Sequence, residues 1–493
     1  MTHNNRDTAD LTKSSFIAHL DIYRENHRAY VMPGFVSFNA YGGSATGLKT
    51  HDVRNFAQLG DYVFALGTRS DGTGSKVFQF LVGTDSEWSN ATPFGYHDEG
   101  AQDLIDNPFF TLQGGNGAFF PVKNGGAVDI ARVRTGTYSG AWFSEWIGTT
   151  PAGNLAYTYS VVGFDGRIYL VKGGSDSGLS EITTSTVTVS AKTTSLTPLA
   201  ATSGDYSIGI AGVNSNPRTS RVLLWDSASL LADQNIRLGS ESVRVIGFPN
   251  NVYTTVGFPA FQTVETNGVA QMNVRVLQGE SAQLLYKLNA PTTTGMRQHD
   301  INEYYFNSML WYARIPTNAA GDEFVGGVWA TGAGSASSQF GVSMLLDTST
   351  LGVVERAVQI GQSTFFAHNE DGSVSRLDDF ETGTFDVPGY IETLFYGSDT
   401  PFLKQLEGIS VTTENLPVGG TVEVQYRTDE NVAFTSMGTS DTDDKQVHNF
   451  TKVAGVPIGK FREIQFKIIL TGKIALKSYL VSTAENDDLS FSV

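Results

Sequence analysis

The chain has no cysteine at any of its 493 positions. That absence excludes disulfide staples, thiolate metal sites and thiol nucleophiles. At this length a core can be large enough to do without them. Proline is scarce, 15 residues against 53 glycines, a balance that suits strands joined by tight turns better than Pro-rich linkers. Cations are the minority charge: 33 Lys and Arg stand against 50 Asp and Glu, a net of −17. Binding to nucleic acid by neutralising phosphates needs clustered cations, so it is not the expected function. A channel wall past which DNA slides remains compatible with that sign, because weak adhesion favours passage. No apolar run approaches the roughly 18 residues of a membrane-crossing helix. The longest candidates, Tyr157–Phe164 and Phe466–Leu470, are strand-sized. The polar start Met1-Thr2-His3-Asn4-Asn5-Arg6 is not followed by an apolar core of signal-peptide length. The expectation is a soluble protein made without classical export or membrane insertion.

Helix signals are also few. The best lies over Asp10–Tyr23, where Leu11, Phe16, Ile17, Leu20 and Tyr23 fall near helical spacing. Ser227–Ala232 offers one further turn. Elsewhere the period is two, or runs are short, apolar and bounded by Gly, Asn and Asp, the strand-and-turn pattern.

A loose motif recurs: a turn residue, then a compact aromatic or branched run. It stands at Gly60–Leu66, Asn116–Phe120, Asp165–Val171, Gly204–Ile208, Asn250–Tyr253, Asn307–Tyr312 and Gln362–Ala367. The spacing is within reach of the about 40–50 residues that a four-stranded propeller blade needs. A single blade cannot bury both of its faces, whereas radial packing of several does. These occurrences predict an all-β chain with a β-propeller of five to seven blades over residues 32–385. Met32–Phe38 is the candidate strand that closes the ring against the last blade. A long β-sandwich or β-helix is the alternative architecture.

Near Asp386-Val387-Pro388-Gly389 the pattern changes. Thr421–Arg427 places Val422, Val424 and Tyr426 on one face, and Glu463–Ile468 does the same with Ile464, Phe466 and Ile468. Half-buried strands of this kind predict an antiparallel β-sandwich over 386–485. The turn Pro417-Val418-Gly419-Gly420 and the acidic loop Asp441–Asp444 separate its strands. Residues 1–31 read as an N-terminal arm, and 486–493 as a tail that is either loose or donated to a neighbour.

Chemistry is hard to place. None of the eight histidines sits at a short ligand spacing, and His-Glu-x-x-His is absent. His299-Asp300 and His97-Asp98-Glu99 read as well as loop residues as they do as ligands. Asp71–Ser75, Asn369–Gly372 and Asp441–Asp444 are oxygen-rich, but none follows the twelve-residue helix-flanked calcium pattern. Hairpin turns explain them with less. The glycine-rich pieces Gly114–Gly117, Gly173–Ser175 and Gly332–Gly334 lack the Lys-Ser or Lys-Thr of a phosphate loop. A Gly-x-Ser-x-Gly elbow and sialidase-type Asp boxes are lacking too. Asp378-Asp379 and Asp443-Asp444 point to opposite faces of any strand, which suits a glycosidase pair poorly. Trp142, Trp146, Trp311 and Trp329, with Tyr138 and Tyr312, are blade core or sugar-stacking rings. No catalytic, cofactor-binding or metal residue is nominated, and no cofactor is expected.

Two segments carry a family resemblance. In order, Ile391–Tyr396, Lys404–Ile409, Thr421–Thr428 and Phe461–Phe466 resemble the β-sandwich that ends many propeller-containing virion proteins of tailed bacteriophages. The polar lead, Tyr23-Arg24-Glu25-Asn26 and then Pro33-Gly34 resembles the tail hub or nozzle proteins of short-tailed phages. The segments cover about a third of the chain and share strand order rather than an invariant signature. The resemblance brings no site residue. It implies a non-enzymatic structural protein of the virion tail, a homo-oligomeric ring that docks on an adaptor or portal ring, holds tail fibres and lines the DNA exit without binding DNA specifically. The alternatives are a receptor-binding or capsid-decorating protein that contacts host glycans, and a propeller glycoside hydrolase.

Overall fold

The computed structural model describes residues 7–8, 16–22 and 28–38, the strand segments between 51 and 377 with Arg167 and Asp226, and 380–485 apart from 398–402, 429–430, 432, 452 and 454. Every regular element among them is a β-strand. With no helix among the described residues, none is long and apolar enough to cross a membrane. The chain divides into two compact units: 1–34 with 333–347 and 378–493, and 35–332 with 348–377.

The unit over 35–332 and 348–377 is built from one repeated element. Four-stranded sheets follow one another along the chain, within 51–90, 111–149, 157–193, 196–237 and 242–289, and each is a meander in sequence order. Met296–Gln298, Met309–Ala313 and Gly327–Gly332 continue the pattern. This is the blade pattern of a β-propeller.

The recurrent turn-plus-aromatic motif has a structural meaning. Its apolar runs fall on the second strand of their sheets at Tyr62–Arg69, Ala118–Asn124, Ile168–Lys172, Met309–Ala313 and Ser363–His368, and of the occurrence at Gly204–Ile208 the described residue, Ile208, opens the second strand Ile208–Ser215. A second strand is paired on both edges and, in a stack of sheets, covered on both faces. It therefore reads as a compact apolar run rather than an alternation. Ile208, Ile210 and Ala211 are all fully buried, and so are Val63 and Ala65. The occurrence at Asn250–Tyr253 and the possible turn at Ser227–Ala232 lie outside the described residues. Neighbouring sheets share side chains: Tyr169 and Leu179 cluster with Leu196, Ile208, Leu223 and Trp225. The Tyr169 and Trp225 rings meet edge to face at 5.1 Å.

The last sheet, Val354–Ile360, Ser363–His368 and Ser373–Leu377, takes its fourth strand from the other end of the chain, Phe35–Ser37. Phe35 pairs with Leu377 and Ser37 with Ser375. Phe35 packs on Phe366 at 5.6 Å, and Phe38 on Phe365 at 5.3 Å. Within the segment Met32–Phe38, Phe35–Ser37 is thus the strand that pairs with this last sheet.

The second unit joins both chain ends. One sheet runs Leu20–Asp21, Ala29–Val31, Ala475–Glu485, Lys404–Thr413, Val447–Phe450, and Asp7–Thr8 also pairs with Ala475–Glu485. In the other sheet, Gly341–Asp347, Phe16–Ala18, Gly389–Glu392, Ile464–Thr471, Thr421–Thr428 and Thr435–Ser440 lie side by side. Ile409, Val411 and Val481 of the first sheet share one core with Val422, Val424, Ile464, Phe466, Ile468 and Leu470 of the second. The alternation read from Thr421–Arg427 and Glu463–Ile468 is therefore the core-facing pattern. Each such aliphatic side chain contributes about 1.5–3 kcal/mol by leaving water.

The N-terminal stretch differs from the helix expected over Asp10–Tyr23. Phe16–Ala18 and Leu20–Asp21 are strands, and residues 17–21 are all buried. Strands covered on both faces lose the period-two signature, and Phe16, Ile17 and Leu20 then imitate helical spacing. Rather than standing apart as an arm, these strands enter the sheets of the C-terminal unit. His19 is the corner between them, in the left-handed region at φ 55°. It turns the chain from one sheet into the other while its N–H donates to Met344 O at 3.0 Å. Gly389 lies against this corner: a Cβ there would come within 2.6 Å of His19 O and 2.4 Å of Leu20 Cδ2.

Candidate binding surface

Residues facing away from the core of the C-terminal unit make its most distinctive chemistry. Ile391, Ile468 and Val424 point inward, so alternation sends Tyr390, Glu392, Gln465, Lys467 and Arg427 to the outer face. Register fixes their neighbours: Glu392 stands opposite Lys467, and Arg427 opposite Gln465.

Arg427 is held from three sides. Its Nε donates to Gln465 Oε1 at 2.6 Å, and Gln465 Nε2 donates to Thr393 O at 2.6 Å. The amide of Gln465, almost wholly buried, is thereby oriented by a backbone carbonyl and in turn orients the guanidinium. The guanidinium lies 4.7 Å from the centroid of Phe434 and 5.5 Å from that of Phe395. Lys467 sits beside it, Nζ 3.6 Å from the Tyr390 centroid and 3.5 Å from Glu392 Oε1. Phe16 extends the row, 5.8 Å from Tyr390. The rim is apolar and exposed, with Leu394 at 50% and Phe395 at 37%. Reciprocal backbone bonds between Tyr396 and Ile464 fix that rim to the sheet. Two cations set among aromatic rings, beside an exposed leucine, favour a ligand that offers carboxylates next to apolar side chains.

A buried polar network lies at the edge of the same unit. His448 is fully buried, with Nδ1 2.9 Å from Ser440 Oγ and Nε2 3.1 Å from Thr413 Oγ1. Thr413 Oγ1 donates to Glu414 O at 2.7 Å, so Nε2 carries the proton toward Thr413. Ser440 then donates to Nδ1, and Lys445 Nζ approaches Ser440 Oγ at 3.4 Å. Burial first, and the Lys445 charge second, lower the His448 pKa below its usual value. The network is a chain of satisfied hydrogen bonds around a neutral imidazole, and it presents no nucleophile to a substrate.

The sequence candidates scatter. Asp441–Asp444 is an exposed loop with a turn at Asp443–Asp444 and Asp444 at φ 60°. Pro417–Gly420 is a tight turn, Gly420 N–H donating to Pro417 O at 2.8 Å with Gly419 at φ 77°, where glycine is required. His368 is buried against Ser375 at 3.0 Å. Trp329 is buried on Gly327–Gly332, and Trp311 is its strand partner. Trp142 and Trp146 lie on Trp142–Thr149 and Tyr312 on Met309–Ala313. Tyr138, His97, His299, Asp71–Gly74, Asn369–Gly372 and Asp378-Asp379 lie outside the described residues, and Ser75 opens the strand Ser75–Leu81. No three His, Asp or Glu side chains converge as a metal site among the described residues.

Sequence reasoning missed Arg427, Lys467, Gln465, Tyr390, Phe395 and Phe434 as a group. They are spread over almost 80 positions and share no spacing. The available signal was the alternation itself: with Tyr426 facing inward, Arg427 must face out.

No protein-family model and no curated protein matches the chain. Among solved structures it is similar to a chain of a mitotic checkpoint complex, at TM-score 0.43 and 9% identity, covering 69% of this chain and 98% of that one. It is also similar to Sqt1 of Chaetomium thermophilum bound to the N-terminus of ribosomal protein L10, at TM-score 0.39, 10% identity, 69% and 98% coverage. A third is the N-terminal domain of Nup159, at TM-score 0.38, 10% identity, 74% and 99% coverage. These TM-scores are low, so the fold rests on the strand pairing described above.

Proposed function

We propose that the protein is a non-enzymatic structural component of a tailed-phage virion, a tail nozzle or hub that forms a ring, docks on an adaptor or portal ring and lines the DNA exit. In this reading the six four-stranded sheets and the three-stranded run over 296–332 are blades of a seven-bladed propeller. The two sheets of the C-terminal unit form a β-sandwich.

The observation that carries the reading is how the N-terminal stretch is tied in. Asp7–Thr8, Phe16–Ala18, Leu20–Asp21 and Ala29–Val31 pair within the C-terminal unit, and Phe35–Ser37 completes the last meander. Pulling such a chain apart requires shearing several strands at once, a property suited to a part under load during DNA ejection. The strand order of the C-terminal unit, which motivates the family resemblance, supports the same reading. The net charge of −17 suits a conduit that DNA must not adhere to.

Native mass spectrometry of the purified protein, alone and with the adaptor protein of the same virion, tests this. A single ring stoichiometry, or one induced by the adaptor, is expected. A monomer at every concentration, unchanged by the adaptor, contradicts it.

A further inference from the structure

The C-terminal unit carries two unlike exposed surfaces at opposite ends of one strand, Thr421–Thr428. At its C-terminal end stands Arg427, with Phe434 just ahead of Thr435, the strand partner of Tyr426. Thr428 pairs with Ile464, and Ile464 bridges to Tyr396, which brings the exposed Leu394 and Phe395 to the same end. The N-terminal end has a different chemistry. The turn Pro417–Gly420 leads into Thr421, and its Val418 is 89% exposed. Beside it runs the acidic loop Asp441–Asp444. Ser440 pairs with Val422, Asp444 N–H donates to Leu416 O at 3.0 Å, and Leu416 N–H donates to Lys445 O at 3.1 Å. Asp441, Asp443 and Asp444 are all exposed, whereas Lys445 Nζ is turned to Ser440 Oγ at 3.4 Å.

The two ends complement each other. One offers a guanidinium and an ammonium among aromatic rings, with an exposed leucine at the rim. The other offers the three carboxylates of Asp441, Asp443 and Asp444 around an exposed valine. Arg and aromatic side chains are the types that carry binding energy at the centre of an interface, and opposite charges fix its orientation. Five residues of strand, about 17 Å, separate Val422 from Arg427, so the two ends cannot meet within one unit. They can meet between two copies. Such a contact uses different patches on the two partners, so it repeats from copy to copy and makes a ring where the rotation closes.

We propose that the acidic end of one copy, Val418 with Asp441–Asp444, docks on the Arg427–Lys467 face of the next, Val418 against Leu394 and Phe395 and the carboxylates toward the cations. This rests on the ring of the proposed function and names the contact that joins its copies.

The test is sedimentation velocity of the full-length protein, under the conditions in which the wild type forms its ring, with the variants Val418→Lys and Leu394→Asp. Val418 stands almost wholly in water, so its replacement leaves the fold intact, and the thermal midpoint of each variant checks this. If Leu394→Asp melts early, Leu394→Ser takes its place. Each variant alone has every head-to-tail contact spoiled. An equimolar mixture restores one, because the intact Val418 end of the Leu394 variant fits the intact face of the Val418 variant. The expected result is a monomer for each variant alone and a one-to-one dimer, nothing larger, for the mixture. Wild-type association should also weaken about ten-fold when added salt screens the exposed charges. A Val418→Lys protein that keeps the wild-type ring overturns the proposal and leaves the ring standing. So does a mixture of folded variants that stays monomeric, or an association that ignores salt. A wild type that is monomeric at every concentration, with and without the adaptor, removes the ring and this contact with it.

Discussion

Arg427 is positioned by an amide and two rings, and this makes its replacement informative. Arg427→Ala removes a hydrogen bond to Gln465 and two ring contacts on a partly exposed face. A loss of about 1 kcal/mol is expected in denaturant unfolding. Arg427→Lys should recover little of it, since an ammonium cannot bond Gln465 while lying flat between Phe395 and Phe434. His448 gives a different signature. Its folded-state pKa is lowered by burial and by Lys445, so the folded protein binds fewer protons there than the unfolded chain. The stability this withholds is therefore lost as pH falls below the unfolded value of about 6.5. His448→Gln should flatten the decline in thermal midpoint between about pH 7 and pH 5. An unchanged slope would mean that His448 does not titrate differently in the two states.

At the scale of elements, the closing strand and the sheet-switching corner are the places where single residues decide pairing. Phe35→Ala strips the ring that packs on Phe366. It should cost about 2 kcal/mol, less than the roughly 3–5 of a fully buried Phe. Hydrogen exchange should rise first in its strand partner, Ser373–Leu377. Gly389→Ala drives a methyl group into His19 O and Leu20. Destabilisation of about 1–3 kcal/mol is expected in thermal unfolding. The middle strands were legible because a turn followed by an apolar run, as at Asp165-Gly166 before Ile168–Lys172, is a local signal. The alternation over Thr421–Thr428 was legible for the same reason. The entry of Phe16–Ala18 and Ala29–Val31 into the C-terminal sheets was not, because their partners lie more than 300 positions away. No local period encodes such a pairing. The outer face escaped for a related reason: its cations and rings come from three strands and two loops, brought together only by register.

For the whole molecule, the proposed place in the tail of a phage particle rests on an acidic chain whose N-terminal strands pair within the C-terminal unit. Acidity bears on this directly. If the protein lines a DNA exit, its affinity for duplex DNA should be negligible at physiological salt and remain so when ionic strength is lowered, unlike a phosphate-neutralising binder. Filter binding across salt concentrations checks it. The measurement that tests the central claim most directly is immunogold labelling of purified particles from the source lysate, viewed by negative-stain electron microscopy. The account predicts label confined to the tail tip. Label over the capsid or on peripheral appendages, or signal only in the soluble fraction, would contradict it.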